Sequence, residues 1–225
     1  MIAEAIFSGT ELLLGQILNT NAQTLQRTLA NMGIALYHMI TVGDNRQRCA
    51  AAILQAASRA DIIIVGGGLG PTVDDVSREA LSEAVGVPLN HNETALAVVQ
   101  RGWKGAAMPE TALVQALVPD GGMVLDNPIG IAPGIILEQQ EKTFILLPGP
   151  PDEFELMLSD QVVPYLKSRY PEELGAIHTR VLKLGGTGES YLVNILGDLF
   201  KSSNPTVSTC VKGSFHRSEH HSQSR

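Results

Sequence analysis

The stretch DIIIVGGGLGPTVDD, Asp61 to Asp75, decides the fold. Ile62 to Val65 form an unbroken apolar run of strand length. A strand with one wet face alternates apolar and polar residues, so the unbroken run predicts a strand buried on both faces. Three glycines end it, and the sequence then turns helical. DDVSREALSEAVG, Asp74 to Gly86, sets Val76, Ala80 and Ala84 on one face and puts Gly86 where a helix stops. Strand, glycine turn and helix form the repeating unit of parallel α/β sheets, whose ligands bind outside the carboxyl ends of the strands.

The same alternation extends both ways. Upstream, AEAIFS (Ala3 to Ser8) reads as a strand ending at Gly9. NAQTLQRTLANMG reads as a helix with Leu25, Leu29 and Met32 on one stripe and Gly33 as its stop. IALYHMITVG predicts the next strand and RQRCAAAILQAAS the next helix. Downstream, Asn92 to Gly102 predicts a helix, RGWKGAAMPE a loop, and GIILEQQEKTFILLPG a hairpin turning near Gln140 to Lys142; Asp152 to Arg169 is helical in character. The expected fold class is α/β, a mostly parallel sheet covered on both faces, spanning residues 1–168. From about Tyr170 the texture changes. HTRVLKLGG reads as a strand and GESYLVNILGDLF as a helix with Leu192, Ile195 and Leu199 on one side, which predicts part of a small α/β domain over 169–212. Residues 213–225 lack an apolar period and read as a disordered tail, and its His216, His220 and His221 read as unstructured surface side chains rather than a metal site.

Composition narrows the class of function. Of 225 residues, 44% are hydrophobic and 17% charged, with 22 glycines and 12 prolines, as in a turn-rich globular protein. The net charge of -7, with no cluster of Lys and Arg, argues against a nucleic-acid partner and for a small molecule. Cys49 and Cys210 form no CxxC pair, so neither a disulfide framework nor a structural zinc site is expected. The start MIAEAIF has no signal-peptide pattern, and no apolar run reaches the ~18 residues of a membrane span; the cytoplasm is the expected location.

The glycine loop sets a problem in electrostatics. Backbone N–H groups beside a helix start attract anions, and glycines let a phosphate approach closely, so Gly67, Gly68 and Gly70, followed by Pro71 and Thr72, suit a phosphate. The loop is neither a Walker A sequence nor a GxGxxG fingerprint, and it has no lysine. Instead it ends in two carboxylates. Asp74 and Asp75 admit two readings: acids stabilised in the first turn of a helix, or ligands of a divalent cation (Mg²⁺, Mn²⁺ or Co²⁺) that also holds phosphate oxygens. A metal would reverse the local sign and reconcile loop and acids.

Three further segments converge on this loop if the sheet is as expected. SGTELLLGQILNTN supplies Thr10, Glu11, Asn19 and Asn21; NPIGIAPG supplies Asn127 and Gly130; LPGPPDE supplies Gly149, Pro150 and Glu153. Each also has a structural reading. Asn19 can cap a helix, the Pro-Gly segments can be turns, and Glu153 can favour a helix N-terminus.

Together, GTELLLGQILNTNAQ, TVGDN, GGLGPTVDD, QALVP, NPIGIAPG and LLPGPPDEF closely resemble the N-terminal domain of the competence/damage-inducible CinA family, over residues 3 to about 168. GGTGES and NPTVSTC extend the resemblance more thinly to about residue 211. The resemblance implies a three-layer molybdopterin-binding fold of the MogA/MoaB-like type. It also implies metal-dependent hydrolysis of ADP-ribose to AMP and ribose 5-phosphate, with Asp75 where the molybdopterin-binding members carry the aspartate associated with metal and phosphate chemistry. Beside it, Asp74 is the second candidate metal ligand, and Glu11 and Asp74, the remaining acids near the expected site, are the candidate general bases, so the expected catalytic residues are Asp75, Asp74 and Glu11. From their places in the glycine loop and the three converging segments, Thr10, Asn19, Asn21, Gly67, Gly68, Gly70, Pro71, Thr72, Asn127, Gly130, Gly149, Pro150 and Glu153 are the expected substrate-binding residues. The alternative is a module that binds molybdopterin, another pterin phosphate or a nucleotide without turnover, and a third reading is a degenerate scaffold. Deamidation of nicotinamide mononucleotide belongs to a separate C-terminal domain of that family and is not expected here. Where the family runs Asn-Arg-Lys-Gln-Ala, this sequence has Thr111, Ala112, Leu113 and Val114 before Gln115, so two potential phosphate contacts are missing. The apolar stripe at Leu192, Ile195 and Leu199 leads to an expected homodimer or larger assembly.

Overall fold

A computed structural model describes residues 1–105, 107–175, 180–182, 184 and 188–210. The chain divides into two compact units, Met1–His178 and Thr179–Arg225.

The first unit opens with β1 (Ile2–Ser8), the single turn α1 (Thr10–Leu13), α2 (Thr20–Asn31), β2 (Ala35–Val42), α3 (Arg46–Ala57), β3 (Ile62–Gly66) and α4 (Ser77–Val85). It continues with β4 (Leu89–His91), α5 (Glu93–Gly102), a 3-10 turn (Glu110–Ala116), β5 (Leu117–Pro119), β6 (Met123–Leu125), β7 (Gly134–Gln139) and β8 (Lys142–Leu147). It ends with α6 (Pro151–Met157), a π-helical segment (Leu158–Val162) and α7 (Val163–Arg169). The main sheet has the order β2-β1-β3-β8-β7-β6. β2, β1, β3 and β8 run parallel, and β7 is antiparallel to both of its neighbours. β4 and β5 pair separately.

β3 lies at the centre of this sheet, and its side chains explain the three layers. Ile63 and Val65 join the core formed with α3 and α4, whereas Ile62 and Ile64 join the core formed with α2, α6 and α7. All four are fully buried, and each such side chain contributes ~1.5 to 3 kcal/mol of transfer free energy. In α2 the expected stripe of Leu25, Leu29 and Met32 is buried. The starts of α2, α3 and α5 are capped alike: the side chains of Asn19, Asn45 and Asn92 accept hydrogen bonds from the amides of Ala22, Arg48 and Ala95, each cap worth ~1 kcal/mol. The β7–β8 turn has Gln140 and Glu141 at φ 52° and 60°, the pair of left-handed residues a tight two-residue hairpin requires. Glu4 is the one charged residue of β1; it is buried and held by both arms of Arg59, at 2.7 Å each.

Two local differences from the sequence reading bear on the site. α4 starts at Ser77 rather than Asp74. Residues 72–75 close a turn of their own, in which the Asp75 amide donates to the Thr72 carbonyl and the Asp75 carboxylate accepts from the Thr72 amide (2.9 Å) and hydroxyl (2.7 Å). The two acids therefore precede the helix, and the dipole reading of Asp74 and Asp75 does not apply. Secondly, β4, β5 and β6 are three residues long, too short to show a period in sequence.

In the second unit, α8 (Glu189–Leu196) leads into a 3-10 turn (Gly197–Lys201), and Ile195 and Leu199 are exposed. Arg180, Val181, Leu182 and Leu184, expected in a strand, are in none; His178, Thr179, Lys183, Gly185 and Gly186 of that stretch lie outside the described residues. The tail 213–225 with its histidines also lies outside them. No helix among the described residues is long and apolar enough to cross a membrane.

Candidate functional site

The carboxyl ends of β1, β2, β3 and β8 surround a cavity of about 1240 Å³. Its floor is the loop after β3, Gly66 to Pro71. One wall is the segment from Ser8 to Asn21, with Asp44 beside it; the opposite wall combines Arg101 to Lys104 with Pro128 to Ala132, and Pro148 to Glu153 closes the third side.

The loop is built so that its carbonyls and amides face opposite ways. The Gly67 carbonyl accepts from the Ser77 hydroxyl (2.7 Å), the Gly68 carbonyl from the Ser77 amide (3.1 Å), and the Leu69 and Gly70 carbonyls from the two guanidinium ends of Arg78 (2.7 and 2.8 Å). Gln115 adds a longer bond to the Leu69 carbonyl, 3.3 Å. In a trans peptide the C=O of one residue and the N–H of the next point in opposite directions. Ser77 and Arg78 are buried, so the amides of Gly68, Leu69 and Gly70 point away from them, and these three residues line the cavity. None of the three amides has a partner among the described residues. Successive unpaired N–H groups of this kind form an anion-binding nest. The first amide of α4 is consumed in holding the loop.

The glycines are required sterically. Gly67 and Gly68 have φ of 95° and 68°. A Cβ on Gly68 would lie 2.5 Å from the Ser77 hydroxyl, and one on Gly70 would overlap the Asp75 carboxylate.

Of the residues singled out from sequence, Glu11, Asn19, Asn21, Gly67, Gly68, Gly70, Pro71, Asp74, Asp75, Gly130, Gly149, Pro150 and Glu153 line this cavity. Asn21 also donates to the Gly149 carbonyl at 2.8 Å, tying α2 to the loop after β8. Three others are not part of the lining. Thr10 gives its amide to Asp44 (2.8 Å), Thr72 is occupied by Asp75, and Asn127 is buried with all its bonds made inside the protein. The Asn127 side-chain nitrogen donates to the Ala132 carbonyl (2.8 Å) and the Glu153 carboxylate (2.7 Å), and its oxygen accepts from the Gly130 amide (2.8 Å).

Sequence reasoning did not single out Asp44, Arg101, Trp103, Lys104 or Gln115, all on the lining. Asp44 follows the end of β2 and accepts from the Ser8 hydroxyl (3.0 Å) and the Thr10 amide. Its motif, TVGDN, was visible; its place beside β1 follows only from the parallel pairing. Arg101 and Lys104 supply cations from a segment read as a plain loop, although Arg101 is already paired with Asp126.

Five carboxylates (Glu11, Asp44, Asp74, Asp75, Glu153) against two cations (Arg101, Lys104) leave the lining three negative charges in excess. A nest for an anion inside an acidic cavity calls for a further cation. Among the described residues no group of three or more His, Cys, Asp or Glu is assembled to hold a metal ion. Asp74 is exposed and Asp75 partly buried, two adjacent hard oxygen donors beside the nest. That set fits an ion such as Mg²⁺, which is commonly held by one or two carboxylates with substrate phosphate and water completing the shell.

Residues 4–168 match the family described as a probable molybdopterin binding domain. A putative competence-damage inducible protein of Moorella thermoacetica is 50% identical over 214 residues, covering 94% of this chain and 51% of that protein. A CinA-like protein of Dictyoglomus thermophilum is 45% identical over 215 residues, covering 94% and 52%. The chain thus spans about half the length of the curated relatives it matches. Among solved structures, the protein CinA of unknown function from Thermoplasma acidophilum superposes with a TM-score of 0.69 at 30% identity, covering 75% of this chain and 98% of that one. The molybdopterin biosynthesis enzyme MoaB from Thermus thermophilus gives 0.53 at 16% identity, covering 75% and 92%, a likeness of fold.

Proposed function

Because this chain belongs to the CinA-like proteins of the molybdopterin-binding domain family, we propose that its cavity takes the diphosphate of an ADP-ribose-like dinucleotide and hydrolyses it. The observation that carries this reading is the nest: three unpaired amides, of Gly68, Leu69 and Gly70, on the floor of a cavity of about 1240 Å³. The diphosphate oxygens accept from these amides. Lys104, on the opposite wall, balances a second charge, and the turn at Pro128 to Ala132 holds the remainder of the substrate. A divalent ion on Asp75 and Asp74 would supply charge neutralisation at phosphorus and acidify bound water.

Glu11 and Asp74 are the candidates for the proton acceptor. Water attacks one phosphorus, its proton passes to the carboxylate, the bridging P–O–P bond breaks, and the leaving phosphate oxygen takes the electron pair; the products are AMP and ribose 5-phosphate. Incubation with ADP-ribose and Mg²⁺, Mn²⁺ or Co²⁺, followed by measurement of AMP, tests this.

One observation favours a second reading, a module that binds a pterin phosphate or nucleotide without turnover. The Asp75 carboxylate already accepts two bonds from Thr72 and must keep or trade them to bind a metal. Binding of ADP-ribose or a pterin phosphate without product would select that reading. We also propose self-association through the apolar stripe of Leu192, Ile195 and Leu199, of which Ile195 and Leu199 are each more than half exposed; a monodisperse monomer in light scattering would refute it.

A further inference from the structure

Among the described residues Arg78 is the largest fully buried side chain, 1% exposed, and lies under the glycine loop. Among the described residues it forms no ion pair, and its Nε has no hydrogen-bond partner. Burial pushes its pKa down from the ordinary arginine value, while Glu79 and Asp75 act in the opposite direction. Tying down two carbonyl oxygens requires only neutral donors. A guanidinium does so at the cost of desolvating a charge that no carboxylate directly offsets.

The placement of this charge relates it to the ligand. One end of the guanidinium bonds to the Leu69 carbonyl, and the amide of the same peptide unit belongs to Gly70, on the cavity side. The cation therefore stands behind a peptide dipole whose positive end faces the cavity. We propose that Arg78 is the cation of this phosphate loop, acting through the backbone: it turns the amides toward the ligand and supplies the positive charge that a lysine supplies in other phosphate loops. Arg78 is thus a positioning residue for an anionic ligand of the phosphate or diphosphate class. This rests on the reading of the loop as a phosphate nest. Across one peptide unit and two hydrogen bonds the charge lies on the order of 8 Å from a bound phosphate oxygen. At an effective dielectric constant of ~20, that attraction corresponds to roughly thirtyfold in affinity per unit of ligand charge.

The test is titration of inorganic pyrophosphate and ADP-ribose into the full chain, as wild type, Arg78→Gln and Arg78→Lys, with thermal melts of each. Arg78→Gln is expected to weaken both ligands by about thirtyfold or more. Arg78→Lys keeps the charge but loses the fork across two carbonyls, so it is expected to melt lower yet bind within about fivefold of wild type. Wild type that binds neither ligand overturns the nest reading and this inference with it. Wild type that binds, with Arg78→Gln within about twofold of it, overturns the inference alone. Should Arg78→Gln fail to fold, Arg78→Lys decides: affinity retained despite a lower melting temperature supports the charge role, and a loss beyond about fivefold reduces Arg78 to a structural tie.

Discussion

Truncating Asn127 to alanine should loosen one wall of the cavity without touching its lining. The side chain is 1% exposed and makes three hydrogen bonds, two donated to the Ala132 carbonyl and the Glu153 carboxylate and one accepted from the Gly130 amide. Gly130 and Glu153 are partly exposed and recover water; Ala132 is buried, and its carbonyl is left without this partner. Two bonds partly replaced by water and one buried acceptor left unsatisfied sum to about 3 kcal/mol, a fall of roughly 6 to 12 °C in melting temperature for a unit of this size. Urea unfolding with linear extrapolation measures the loss. Asn127→Asp refines the test. It keeps the shape but turns both donations into contacts between oxygens, one of them with Glu153 in place of a 2.7 Å hydrogen bond. It should be at least as destabilising at neutral pH and should recover in part as acid protonates the pair, since a protonated carboxyl can donate again. A loss below about 1 kcal/mol for Asn127→Ala, or Asn127→Asp as stable as wild type at pH 7, would refute the view that this residue pins the turn.

Asp75→Asn separates the two roles of that carboxylate: it can still accept from Thr72, so the melting temperature should hold while metal-dependent AMP release is lost, and unchanged release would remove Asp75 from the metal site. Gly68→Val combines a residue at φ 68° with a Cβ 2.5 Å from the Ser77 hydroxyl, so it should cost at least the ~1 to 2 kcal/mol of a left-handed backbone, and an unshifted melt would show that the turn is not as described. Cys49 is buried with its thiol pushed up to about 11 by desolvation, whereas Cys210 is exposed; a thiol reagent at pH 8 should label Cys210 rapidly and Cys49 only after denaturation, and prompt labelling of both would contradict the packing under α4. Glu138 accepts from Tyr165 and Arg169, which hold its pKa below the ordinary value. Its contribution is therefore full above the unfolded pKa and lost as pH falls through the lower folded one, so the stability gap between wild type and Glu138→Gln should shrink below about pH 4; a gap that widens in acid would reverse the assignment.

The Ile62–Val65 run was legible as a doubly buried strand because it expresses one physical fact, exposure to a core on both faces, in four consecutive letters. Helices with asparagine caps and an apolar stripe were legible for the same reason. Their signals lie within ten or so residues and do not depend on what they pack against. The short strands β4, β5 and β6 carry no such signal; they exist because a neighbour offers hydrogen bonds.

The site divides along the same line. Local sequence showed that Gly67, Gly68 and Gly70 could admit a phosphate and that Asp74 and Asp75 stood beside them, but it placed both acids in a helix. Whether a helix takes in its first residues depends on where their amides find acceptors. Here the Gly68 carbonyl takes the amide of Ser77, and Asp75 turns back to Thr72. Arg78 passed for an ordinary helix residue, because burial is a property of its surroundings. Asp44, Arg101 and Lys104 reach the cavity from segments distant in sequence. Sequence alone determined the longer helices and strands of the first unit, the mostly parallel character of its sheet and the kind of loop, since periodicity and glycine content act over short range. Only the tertiary structure decided which way the loop's amides point and what charges face them, because those depend on hydrogen bonds and fields between segments that chain order does not bring together.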